Sequence, residues 1–282
     1  MYSCPECGHA VTLDFNIFPS HWCTESACAL SKISSSEPWF ETLLPDNAQS
    51  TDDYAETNQA TEKAYQLYSK FYSFFALLAY WIIWRGDLRK HISFFREILN
   101  AEAQSENNLE IVDIATGEGS LTEIALFKGK SKKAKRVVVL DLSRSMLRKA
   151  ATRFRNRIQN KDVILIRGDA MKLPFRDESI QTMSCFGGLN SFPDFEGALS
   201  QMIKKLATGG VLRGSFLLFP ESPWRQRQIL KWLEKGYQTT VMNPSETKEK
   251  LEKVVKNTTS KISQWVLVGD VLLFEIRKTL VC

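Results

Sequence analysis

Residues 109–122 read LEIVDIATGEGSLT, and no other stretch constrains the fold as much. A β-branched run ends in an acid, a small-residue loop with two glycines follows, and a helix then opens. A unit of this kind brings backbone N–H groups and a helix N-terminus up to a ligand in α/β proteins. The dinucleotide fingerprint G-x-G-x-x-G is not met, because Thr122 stands where the third glycine would be.

From Leu109 onward strand and helix patterns alternate, which predicts an α/β, Rossmann-like fold with a mostly parallel sheet. Strands are expected at 109–114, 136–141, 162–167, 180–185 and 210–219. Helices are expected at 120–128, 143–158 and 194–206, the second capped by Ser143. Asn243-Pro244-Ser245 opens a charged helix to about Asn257. The runs 261–268 and 271–278 flank Gly269-Asp270, a two-residue link that predicts a closing antiparallel hairpin.

Asp113, Ala115, Gly117 and Gly119 match the D-x-[AG]-x-G-x-G loop of the class I S-adenosylmethionine (SAM) methyltransferases, which the chain resembles. The resemblance implies three cofactor stations. Gly117 and Gly119 would let the backbone approach the methionine part, while Asp113 faces the sulfonium or organises the loop. Asp141, in VVVLDLSRSML, would accept from the ribose hydroxyls, with Leu142 and Met146 as apolar surface near the adenine. Asp169 and Ala170, in Gly168-Asp169-Ala170, would address the adenine. Three acids at consecutive strand ends agree with ligand placement in open α/β sheets.

DIATGEGSLT, VVVLDLSRSMLRKA, GDAMKLPFRDESI and MIKKLATGGVL, within residues 105–220, narrow the resemblance to the ubiquinone/menaquinone-biosynthesis C-methyltransferases and their type 11 relatives. This implies SAM-dependent methylation at carbon or oxygen of a small apolar or aromatic acceptor. The fourth strand ends SCFGGLNSFPDF, without the Asp/Asn-Pro-Pro-aromatic signature of adenine amino methylation. Cys185 lacks the Pro-Cys context of a nucleophile and reads as a small buried residue. A SAM-binding scaffold, or SAM used for cyclisation or rearrangement, remains open.

The same comparison divides the chain into a cysteine-rich module at 1–30, an irregular connector at 31–60, a helical lid at 61–100 and the methyltransferase domain at 101–282. Tyr65 and Tyr72 align with pocket aromatics of the relatives' opening helix, although Gln66 and Ser73 replace the companion acids. Residues 71–84, FYSFFALLAYWIIW, are nearly continuously apolar but too short to span a bilayer. They could form a lid over an apolar pocket, a homodimer surface, or a peripheral membrane contact with Arg85, Arg89 and Lys90 at its edge. For proton removal the nearest titratable candidates are His91, Tyr68 and Tyr72, and none is singled out.

Cys4, Cys7, Cys23 and Cys28 form two pairs suited to a structural tetrahedral zinc, with His9 or His21 as alternatives for the fourth position. The second pair has four intervening residues, wider than a zinc ribbon's two. This cluster, with Leu43-Leu44-Pro45, resembles the zinc-bearing N-terminus of rRNA guanine-N1 methyltransferases. The alternative function is therefore rRNA guanine methylation, supported by basic runs at 128–136 and at Arg148, Lys149, Arg153, Arg155 and Arg157. A net charge of +5 permits an anionic partner without demanding one. No secretory signal is read at Met1-Tyr2-Ser3-Cys4, so a cytoplasmic location is expected.

Overall fold

A computed structural model of the 282-residue chain describes residues 2–11, 23, 25, 27, 28, 30, 37–43, 72–101, 110–128, 134, 136–234 and 240–279, with 72–76, 101 and 232–234 as backbone only. Tyr65, Tyr68, His21, Leu44-Pro45 and, from the basic run, Lys130, Lys132, Lys133 and Lys135 lie outside these.

In chain order the elements are β1 (Tyr2–Ser3), β2 (Ala10–Val11), β3 (Phe40–Glu41), α1 (Tyr72–Ile82), α2 (Leu88–Arg96), α3 (Ile98–Ala101) and β4 (Glu110–Ile114). The helical turn α4 (Ser120–Thr122) runs on as a π-helical stretch, Glu123–Phe127. Then follow β5 (Arg136–Asp141), α5 (Arg144–Arg153), α6 (Arg155–Gln159), β6 (Val163–Arg167), β7 (Ile180–Phe186), α7 (Phe195–Lys205) and β8 (Leu206–Leu217). The chain closes with α8 (Pro223–Glu234), α9 (Pro244–Lys256), β9 (Ser260–Val268) and β10 (Val271–Lys278).

Eight strands form one sheet in the order β3-β6-β5-β4-β7-β8-β10-β9. The pairs from β3 to β8 are parallel, and β10 runs antiparallel to both β8 and β9. Central strands are buried on both faces, which is why β5 reads as a continuous β-branched run. Val137, Val138 and Val139 are each 0% exposed, and each such burial contributes about 1.5–3 kcal/mol. The turn Gly269-Asp270 closes the hairpin as expected, with Gly269 at φ +64.

Three of the expected segments differ in the structure. The segment read as irregular connector supplies β3, which pairs with the edge strand β6 through Phe40↔Ile166 and Glu41↔Arg167. The helix expected over 143–158 is divided at Phe154, whose ring is buried. Strand β8 begins at Leu206 rather than 210, and its register against β7 shifts between Ile180 and Thr182. There Gly209 has φ +77, and a Cβ on Gly210 would lie 2.9 Å from the Ile180 carbonyl oxygen.

Among the described side chains of α1, Ala79 is buried while Leu77, Leu78, Trp81 and Ile82 are exposed. Ala79, Ile83 and Trp84 pack with Phe94, Ile229, Val268, Val271 and Leu273. The Trp84 indole donates to the Leu218 carbonyl at 3.0 Å, just beyond the end of β8. The cap therefore sits at the end of the sheet where the parallel strands finish, next to the closing hairpin.

Candidate functional site: a cofactor cradle under a helical cap

The loop after β4 is held from beneath by Asp113. This buried carboxylate accepts from Thr122 Oγ1 at 2.6 Å, Ser184 Oγ at 2.6 Å and Thr116 Oγ1 at 2.9 Å. Burial raises its pKa while the three hydroxyls oppose that rise. With both oxygens engaged, Asp113 organises the loop. Sequence reading missed Thr122 and Ser184 as its partners. Ser184 lies directly opposite Asp113 in the β4–β7 register, which only the strand pairing reveals.

Two loop glycines have separate reasons. Gly119, at φ +79, lies against Phe154, whose Cε2 would be 2.4 Å from an added Cβ. Gly117, at φ +62, faces open space, with nothing within 4 Å of an added Cβ. Ala115 also adopts positive φ, and its N–H is bonded to the Leu140 carbonyl at 2.8 Å. On the far side of the cradle Gly187, at the end of β7, likewise faces open space at φ +81.

The three expected stations touch one another. Asp141 accepts from the Gly117 N–H at 2.7 Å through one oxygen and from the Ser143 N–H at 2.9 Å through the other. Its carbonyl accepts from Gly168 N–H at 3.1 Å. Burial pushes the Asp141 pKa up to about 6, against backbone donors at Ser143, Gly117 and Leu142, and the nearby Asp113 adds to the rise. Beyond it, Leu142 is partly exposed and Met146 is buried on α5. Asp169 is half-buried and caps its own turn by accepting from Met171 N–H at 2.8 Å, while Ala170 is buried.

An ion pair absent from the sequence reading braces this side. Arg167 donates to Glu41 at 3.3 and 3.4 Å and to the Leu142 carbonyl at 3.0 Å. Burial raises Glu41 above the ordinary carboxylate range even beside this guanidinium. Two isolated residues of a connector carried no periodic signal by which to find the pair.

At the cap, His91 is buried, its Nδ1 2.8 Å from the Tyr80 hydroxyl. Its Nε2 is buried without a hydrogen-bond partner among the described residues. The ring lies 5.1 Å from that of Phe186, the last residue of β7, two before Gly188, where a Cβ would strike the Cβ of Ala115 at 2.4 Å. Burial pushes the His91 pKa down to about 4. Tyr72 opens α1, and Tyr65 and Tyr68 lie outside the described residues. Cys185 is fully buried, and burial raises its thiol pKa.

All four cysteines converge. Cys4 and Cys28 Sγ are 3.5 Å apart, Cys7 and Cys23 Sγ 3.6 Å, and all four sulfurs lie within 4.8 Å of one another. A zinc with bonds of about 2.3 Å to four thiolates requires sulfurs roughly 3.8 Å apart. The donor set fits, and the separations are far beyond a disulfide bond of about 2.05 Å. His9 is turned to Glu25 at 3.1 Å instead. Four members of the basic row on α5 and α6 are locally compensated: Arg148 pairs with Glu37, Lys149 with Glu118, Arg153 with Glu118 and Glu123, and Arg157 with Asp162.

Comparison with known proteins agrees with this geometry. Residues 85–222 match the ubiE/COQ5 methyltransferase family. The demethylmenaquinone methyltransferase of Desulfitobacterium hafniense (strain Y51) is 30% identical over 121 residues, 43% of this chain and 47% of that protein. That of Thermobifida fusca (strain YX) is 29% identical over 151 residues, 51% of this chain and 61% of that protein. The chain thus spans about half the length of these curated relatives. A candidate methyltransferase structure from Bacillus halodurans C-125 superposes with a TM-score of 0.51 and 19% identity, covering 67% of this chain and 100% of that one. The fold is therefore that of the class I SAM methyltransferases, and residues 85–222 within it are similar to the ubiE/COQ5 methyltransferase family.

Proposed function

We propose that this chain is a SAM-dependent methyltransferase acting at carbon or oxygen of a small apolar or aromatic acceptor of quinone type. The observation that carries the reading is the continuous cradle in which Asp141 is bonded to Gly117 and Gly168. SAM would supply an electrophilic methyl group on its sulfonium. Asp141 would receive the ribose hydroxyls on its remaining lone pairs, Asp169 and Ala170 would address the adenine, and Gly117 would leave room for the methionine part. Proximity and orientation under the cap supply much of the acceleration in such a transfer. A histidine held near pKa 4 is a poor base at neutral pH, so His91 serves as a neutral hydrogen-bonding group toward the acceptor's oxygen.

An apolar acceptor is best met at a lipid surface. Leu77, Leu78, Trp81 and Ile82 of α1, Trp224 and Leu230 of α8, and Leu267 beside the hairpin turn are exposed around the shared cluster beneath them. Trp81 is 68% exposed and Trp224 53%. Arg227 and Lys231 on α8, Arg85 in the turn after α1, and Arg89 and Lys90 at the start of α2 are exposed, matching an anionic bilayer. Among the described residues no helix is long and apolar enough to cross a membrane. The four cysteines would hold a structural zinc.

Transfer of labelled methyl from SAM into lipid, small-molecule and RNA fractions tests the function. Label in the lipid or small-molecule fraction is expected. Label in RNA, with salt-sensitive binding, would establish the rRNA alternative instead. Co-sedimentation with phosphatidylglycerol-containing vesicles, lost on Trp81→Ser with Trp224→Ser, tests the surface.

A further inference from the structure

The cysteine centre lies beside the adenine side of the cradle, and the chain on each side of it is fastened to that wall. Immediately before Cys4, the Ser3 N–H donates to the Pro174 carbonyl at 3.2 Å, and Tyr2 forms an isolated antiparallel bridge with Phe175. The Tyr2 and Phe175 rings are 5.9 Å apart, and the Tyr2 hydroxyl donates to Glu110 at 3.1 Å. Beyond Cys28, β3 pairs with the end of β6. Thr42 donates to the Arg167 carbonyl through its N–H at 3.0 Å and its hydroxyl at 2.7 Å.

These two attachments bracket residues 168–175, the loop that contains Asp169 and Ala170. Cys4, Cys23, Cys28, Leu30 and Phe40 share one buried cluster with Ala170, Leu173 and Phe175. The regular structure described in the attaching segment is three strands of two residues each. Strands so short cannot fix a chain unaided, and small metal modules take their folding free energy from metal binding.

We infer that metal binding at the four cysteines positions loop 168–175 and so raises cofactor affinity: the zinc braces the wall of the adenine pocket from outside it. The inference rests on the zinc and SAM readings above. Because coupling between two binding equilibria is reciprocal, cofactor binding must tighten metal binding by the same factor.

The test uses the full chain. Zinc content is measured first, then the affinity for S-adenosylhomocysteine by calorimetry, before and after removal of zinc with a chelator. Zinc affinity is measured by competition with a chromogenic chelator, with and without S-adenosylhomocysteine. About a tenfold loss of S-adenosylhomocysteine affinity on stripping is expected, within the usual range of such couplings, and zinc affinity should rise by the same factor when the ligand is present. Tyr2→Ala supplies a second arm, cutting the attachment while leaving all four thiolates. It should keep its zinc and lose ligand affinity, which decides the matter even if the stripped protein unfolds.

Equal affinity within twofold across native, stripped and Tyr2→Ala proteins overturns the coupling alone. A chain that takes up no zinc overturns the metal reading. A zinc-loaded chain that does not bind S-adenosylhomocysteine overturns the cofactor reading.

Discussion

The pKa of Asp141 gives the cofactor reading a pH signature. Burial holds this carboxyl at about 6 in the ligand-free site, against 3.8 for an ordinary aspartate. At about 1.4 kcal/mol per tenfold change in proton affinity, that rise costs the folded state about 3 kcal/mol near neutral pH. The native state binds the proton more tightly than the unfolded chain. This contribution therefore favours folding at low pH and is lost as the pH climbs from about 4 to 6. A ribose places two more donors on the carboxylate, which favours its ionised form and should lower its pKa on binding.

S-adenosylhomocysteine affinity should therefore be flat above pH 7 and fall below 6, by about tenfold at pH 5 for a group titrating near 6. Binding near pH 6 should release a fraction of a proton. Calorimetry at pH 5, 6, 7 and 8, repeated in buffers of different ionisation enthalpy, reads both quantities. Asp141→Asn keeps the shape but removes the titration, so its affinity, lower throughout, should lose the acid limb. A wild-type affinity constant from pH 5 to 8 with no proton released would refute the reasoning, since no ligand hydroxyl would then bear on the carboxylate.

Gly119→Ala combines a strained positive φ with a collision against Phe154. It should cost at least about 2 kcal/mol, seen in urea denaturation, and weaken S-adenosylhomocysteine binding. Arg213→Met leaves the buried Glu275 with Ser263 and Arg277 as its partners; burial tends to raise its pKa, and Ser263, Arg213 and Arg277 together hold it below its ordinary 4.5. A loss of about 1.5–3 kcal/mol is expected. The deficit should narrow as the pH falls below 4.5 and Glu275 becomes neutral in both proteins. His91→Phe should lower turnover by roughly 100-fold, the low end for loss of a positioned hydrogen-bond donor, with S-adenosylhomocysteine affinity unchanged in calorimetry.

What was legible in the sequence is what has a period or a fixed turn. The run VVVLD announces a strand buried on both faces, and Gly269-Asp270 admits little but a hairpin. Asp113, Gly117, Gly119, Asp141 and Asp169 could be placed because each ends a strand or begins the loop after it. Contacts between distant segments were not legible. Ser184 meets Asp113 through sheet register, and Glu41 meets Arg167 through an edge pairing of two residues. Tyr80 meets His91 across the Arg85-Gly86-Asp87 turn. The helix α8, Pro223–Glu234, is not among the helices expected from the sequence. On α1 the composition is apolar on every side, so only packing decides that Ala79 turns inward and Trp81 outward.

The seat of the cap bears on how the chain is made. A Cβ on Gly269 would lie 2.3 Å from the Arg85 carbonyl oxygen, and the Asp270 N–H donates to the Trp84 carbonyl at 2.8 Å. Arg225 bridges the Ile83 carbonyl and Asp270. Much of the surface that receives residues 79–84 thus belongs to the hairpin of β9 and β10. During synthesis from the N-terminus, strands β4 to β7 can assemble while this greasy segment still waits for the hairpin. A ribosome-bound chain that ends before β9 therefore lacks Val268, Val271 and Leu273 from that cluster and leaves the apolar segment less covered, the species that a chaperone would hold.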